Sequence, residues 1–171
     1  MKRLLFAAVL LLVVLLPGTA TASARESGTT SNFKARLTGA QEVPPVASPG
    51  TGRVTFQLSE DGSKLRFRLT AQGLTNRITQ AHIHLAPRGV NGGIVAFLFP
   101  LTETGVNPEG FEVAGTLTKE DLIGGLKDKP LSSLVEAMRS GGAYVNIHTV
   151  VHPGGEIRGQ IQLRDDSESN D

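Results

Sequence analysis

The chain has 171 residues, with 17 Lys plus Arg against 16 Asp plus Glu, a net charge of +1, 20 Gly, 9 Pro and no Cys. That length fits one domain. The absence of Cys excludes a disulfide scaffold, thiolate-bound metal and thiol catalysis, and the balanced charge argues against a general nucleic-acid binder.

The N-terminus has the order of a secretory signal. Lys2 and Arg3 precede an unbroken apolar run from Leu4 to Leu16, Pro17-Gly18 breaks it, and Ala22-Ser23-Ala24 supplies small residues for cleavage. At about 1.5 Å per residue the run reaches only ~20 Å, short of a ~30 Å hydrocarbon core. Residues 1–24 are therefore expected to be a signal peptide, with no membrane span once it is removed. Its loss takes away Lys2 and Arg3 and turns the net charge from +1 to −1. Residues 25–31 read as a flexible leader, 32–163 as the folded domain, and 164–171, rich in Asp, Glu and Ser, as a disordered acidic tail.

Short alternating segments fill the domain. Strands are predicted at 33–37, 53–58, 64–70, 78–85, 94–99, 111–117, 143–148 and 156–163. Val54, Phe56 and Leu58 share one face of their strand. Leu65, Phe67 and Leu69 do so on the next, and Asp61-Gly62 marks the turn between them. Thr118 and Asp121 stand at capping-box spacing. Leu131, Leu134, Val135 and Met138 fall at i, i+3, i+4 and i+7 between Pro130 and Gly141-Gly142, the pattern of a short amphipathic helix. The expected fold is all-β: an antiparallel β-sandwich or Greek-key barrel of about eight strands, with one helix in a crossover connection.

All four histidines fall in two places, His82 with His84 and His148 with His152. Side chains two apart on a strand share a face. Gln80, His82 and His84 are thus expected on one outward face, with Ala81, Ile83 and Leu85 toward the core. Tyr144, Asn146 and His148 are expected outward on their strand, opposite Ala143, Val145 and Ile147. On the last strand Glu156, Arg158, Gln160 and Gln162 share a face. Two neutral imidazoles on one face can ligate Zn²⁺ or Cu²⁺, with His148 as a third ligand and His152 or Glu156 as a fourth. The competing reading is hydrogen-bonded structural histidines beside a polar cluster of Asn146, Glu156 and Arg158, in which Glu156 and Arg158 pair and order the last hairpin. No nucleophile elbow, phosphate loop or dinucleotide glycine pattern is present.

Four blocks in order resemble the CHRD family: Gly39-Ala40-Gln41-Glu42-Val43-Pro44-Pro45-Val46, Ala81-His82-Ile83-His84, Tyr144-Val145-Asn146-Ile147-His148-Thr149, and His152-Pro153-Gly154-Gly155-Glu156-Ile157-Arg158-Gly159-Gln160. The resemblance runs from Asn32 to Leu163. It implies an immunoglobulin-like or superoxide-dismutase-like β-sandwich of extracellular proteins, with no established enzyme activity. Where the family often continues His-x-His with Gly-Pro-Ala, this chain has Leu85-Ala86-Pro87. A fainter likeness, to copper–zinc superoxide dismutase, matches His82, His84 and His148 but lacks the zinc loop and its two Cys. It implies no dismutase activity and at most a single copper or zinc site.

The leading expectation is a secreted, non-enzymatic module that binds an extracellular protein or glycan in the periplasm, wall or medium. The alternative is a copper- or zinc-binding or redox protein using a surface cluster of His82, His84 and His148.

Overall fold

A computed structural model describes residues 32–164. The predicted signal, the leader and all of the acidic tail except Arg164 lie outside the described residues. In chain order come β1 (Asn32–Thr38), a 3-10 turn at Gly39–Gln41, β2 (Thr51–Leu58), β3 (Leu65–Gln72), β4 (Ile78–Leu85), β5 (Gly93–Phe99) and β6 (Phe111–Leu117). Two 3-10 turns (Lys119–Asp121 and Gly124–Leu126) lead to the single helix, α1 (Leu131–Arg139), and then to β7 (Ala143–Thr149), β8 (Ile157–Gln160) and β9 (Gln162–Leu163).

Alternation decides the wall. Val54 pairs with Leu69 and Phe56 with Phe67, all four turned inward. The strands join in the order β5-β4-β7-β8-β1-β2-β3-β6, every pair antiparallel, with β9 beside β1. The two edges meet through the rings of Phe99 and Phe111, 5.4 Å apart. The domain is therefore one sheet rolled into a nearly closed barrel, rather than two stacked sheets. The predicted last strand divides at Ile161, whose N–H donates to the Ala143 carbonyl at 3.0 Å. Beyond it Gln162 and Leu163 pair with β1, and Leu163 is left exposed.

The crossover after β6 works as the spacing predicts. Thr118 donates its N–H to Asp121 Oδ2 at 2.8 Å. Ile123 donates to the Val95 carbonyl at 2.9 Å and so covers the β5 edge. Helix α1 then buries Leu131, Leu134, Val135 and Met138 against the core. Burial of each such side chain is worth ~1.5–3 kcal/mol.

The β4–β5 ladder is irregular. Ala81 faces Phe99 and His82 faces Phe97, then Ile83 faces Ala96 and His84 faces Ile94. The second skip lets Val95 and Ala96 both turn inward, while Phe97 is left outside against the His82 ring at 5.3 Å.

Candidate metal site

Strand β4 lies beside β7, with Gln80 opposite His148, His82 opposite Asn146 and His84 opposite Tyr144. The alternating faces expected from the sequence therefore merge on the outside of the barrel. They do not meet solvent: His82, His84, Asn146 and His148 are all buried. The loops after β4 and after β7 roof them. The expectation of a surface cluster is corrected on this point, because alternation places side chains outside the wall but cannot foresee a roof.

One ring nitrogen from each of His82, His84 and His148 lies within 4.8 Å of the other two. His84 Nδ1 is 2.8 Å from the Gly92 carbonyl, and His148 Nδ1 is 2.8 Å from the Pro153 carbonyl. A carbonyl only accepts, so both Nδ1 atoms carry hydrogen and both Nε2 atoms present lone pairs to the cluster. His148 Nε2 and His82 Nε2 are buried with no hydrogen-bond partner. His84 Nε2 is 2.9 Å from His82 Nδ1 and 3.1 Å from Asn146 Oδ1. Carbonyls that pin Nδ1–H while Nε2 points inward are the usual outer support of imidazole ligands. The set is richer in lone pairs than in protons, which suits a cation.

The electrostatics agree. Burial, with the charges of His148 and His84, pushes His82 down to about 3. Burial also lowers His84 and His148. The cluster is thus neutral imidazole at neutral pH, the form that binds a metal.

The roof is held from β7 and β8. Tyr144 stacks flat on His84, with ring centroids 4.7 Å apart, and the Arg158 guanidinium lies 3.4 Å over the far face of Tyr144. Arg158 donates to Asn91 Oδ1 at 3.0 Å and to the Val90 carbonyl at 2.7 Å. The Gly92 N–H donates to the Tyr144 hydroxyl at 3.2 Å, so Gly92 clamps Tyr144 and His84 together. A Cβ at Gly92 would collide with the Leu85 carbonyl, which is why the loop needs glycine there.

The other candidates fall elsewhere. His152 lies outside the three-histidine group, with its backbone in the tight turn after β7. Both oxygens of Glu156 are engaged: Oε1 by the Ser48 hydroxyl at 2.6 Å and the Thr75 N–H at 2.8 Å, Oε2 by the Thr149 hydroxyl at 2.7 Å. Burial would raise this carboxyl, but those hydrogen bonds outweigh it and hold Glu156 below the ordinary range. Glu156 ties three loops together and does not pair with Arg158. The polar cluster is split, with Asn146 and Arg158 at the histidines and Glu156 away from them. Sequence reasoning gave Glu42, Tyr144 and Gly92 no part at the histidines. Tyr144 shares the β7 face with Asn146 and His148, a signal that alternation carried. Glu42 and Gly92 sit in loops, where no period marks them.

A family model described as the CHRD domain matches residues 33–161. No curated protein and no solved structure matches the chain.

Proposed function

The chain belongs to the CHRD family, and on that premise we propose that it is an extracytoplasmic metal-binding protein in which His82, His84 and His148 hold one copper or zinc ion. The carrying observation is the convergence of one nitrogen from each of three buried imidazoles within 4.8 Å, in a cluster where His82 Nε2 and His148 Nε2 have no hydrogen-bond partner. Asn146 Oδ1, 3.1 Å from His84 Nε2, is the natural fourth donor. The apolar run from Leu4 to Leu16 and the family's extracellular character support export. An all-imidazole set with an amide oxygen suits copper and zinc alike, and the burial of the ligands favours holding the ion over turnover at an open position. A module that binds a protein or glycan is compatible with the same export signal, but the histidine geometry favours the metal.

Metal analysis of the full chain, purified without chelators and exposed to Cu²⁺ and Zn²⁺ separately, tests this. The expected result is about one tightly held equivalent of one metal, as a three-histidine site requires. That equivalent is lost in His148→Gln and in the His82→Ala/His84→Ala variant and kept in His152→Gln, with circular dichroism verifying the fold. Equal metal content in the parent and a folded His148→Gln variant would refute the site, as would a parent that binds neither metal.

A further inference from the structure

The outer wall formed by β1, β2 and β3, away from the histidines, carries a second feature. Arg36 on β1 stands directly opposite Arg53 on β2. Arg53 pairs with Thr70 on β3, which makes Arg68 its diagonal neighbour, and Arg66 lies two residues further along the same face. Directly opposed strand residues are ~5 Å apart and diagonal ones ~7–8 Å. The four guanidiniums therefore form a continuous track across three strands. All four residues are exposed. Arg68 pairs with Glu112 at 2.7 Å, whereas Arg36, Arg53 and Arg66 have no carboxylate at ion-pairing distance among the described residues.

Two like charges placed opposite each other on a sheet destabilise it. Here the pair sits beside a groove of about 440 Å³ lined by Arg36, Thr38, Thr51, Arg53, Thr70 and Gln72. A second groove of about 340 Å³ continues along Thr55, Gln57, Arg66, Arg68 and Arg164. Between the cations the face carries hydroxyl and amide side chains. It offers no aromatic ring: the chain has no Trp, its one Tyr is buried at the histidines, and Phe33, Phe56 and Phe67 point inward.

We propose that this face binds a linear acidic polysaccharide, its anions meeting the Arg36–Arg53–Arg68–Arg66 track and its hydroxyls the intervening Thr and Gln. Closely spaced anions neutralise the opposed arginines, and a hydroxyl-rich chain matches the polar filler. A single-stranded nucleic acid would call for stacking aromatics, which this face lacks. The track is independent of the metal reading, since none of its residues touches the histidines.

Binding of the full chain to heparin and to polygalacturonate at low salt, with neutral dextran and single-stranded DNA as comparisons, tests the proposal. Expected are retention on one or both acidic polysaccharides, none on dextran, and steep loss as salt rises. In Arg36→Ser/Arg53→Ser affinity falls about tenfold or more, as expected when two charges leave an electrostatic interface, while metal content stays that of the parent. The proposal is overturned if neither polysaccharide binds, if the folded double variant binds as well as the parent, or if DNA binds more tightly than both. Binding that appears only in a chain ending at Arg164 would also overturn it, by making the chain's own acidic end the occupant.

Discussion

Glu42 is buried in the loop after β1, and burial pushes its carboxyl up to about 7 against the opposing pull of the Arg158 charge and the Val43 N–H. Between the ordinary value of 4.5 and about 7 the folded chain keeps this proton and the unfolded chain has released it. Stability from Glu42 is therefore full below pH 4.5 and is lost as the pH rises through 7. Glu42→Gln removes this slope. In urea unfolding of metal-free protein, the variant should gain about 2–3 kcal/mol relative to the parent between pH 4 and pH 8. A difference that stays flat with pH would mean that Glu42 is ionised in the fold. Arg158 also has a different task from the one its spacing suggested. Its partners are Tyr144, Asn91 and the Val90 carbonyl, so it braces the roof over His84 instead of neutralising Glu156.

The loop joining β7 to β8 shows how an element without periodicity shapes the site. Gly155 has φ +121°, a conformation L side chains rarely adopt. A Cβ there would meet Glu42 Oε1 at 2.5 Å and Asn146 Nδ2 at 2.9 Å. The glycine lets this loop close over Asn146 while it delivers the Pro153 carbonyl to His148. Gly155→Ala should cost roughly 1–3 kcal/mol in a denaturant melt and should weaken metal retention by displacing Asn146. An alanine variant as stable as the parent would show that the loop relaxes freely. The strands and α1, by contrast, could be read before any coordinates. Their side chains repeat with periods of 2 and 3.6, and each apolar stripe has one place to go. The division of the last strand at Ile161 and the skips in β5 escaped that reading, because a bulge is settled by the neighbouring strand.

Across the domain, the proposed ion would fasten β4 to β7, one strand in from the β5 edge of the rolled sheet. A ligand that binds only the folded chain adds stability by mass action. Free metal at 100 times its dissociation constant should add about 2.7 kcal/mol and raise the melting temperature of the parent but not of His148→Gln. Identical shifts in both proteins would place the metal elsewhere. The composition, the alternation and the spacing of His82, His84, Asn146 and His148 were enough to specify an all-β domain and to put these side chains outside its wall. Those are local properties, carried by neighbours along the chain. Local order could not say that β4 would lie beside β7, that the roofing loops would bury the imidazoles, or that Glu156 and Arg158 would part company. Each of these depends on which distant segments pack together, and burial, with the pKa shifts it causes, exists only once the chain has closed on itself.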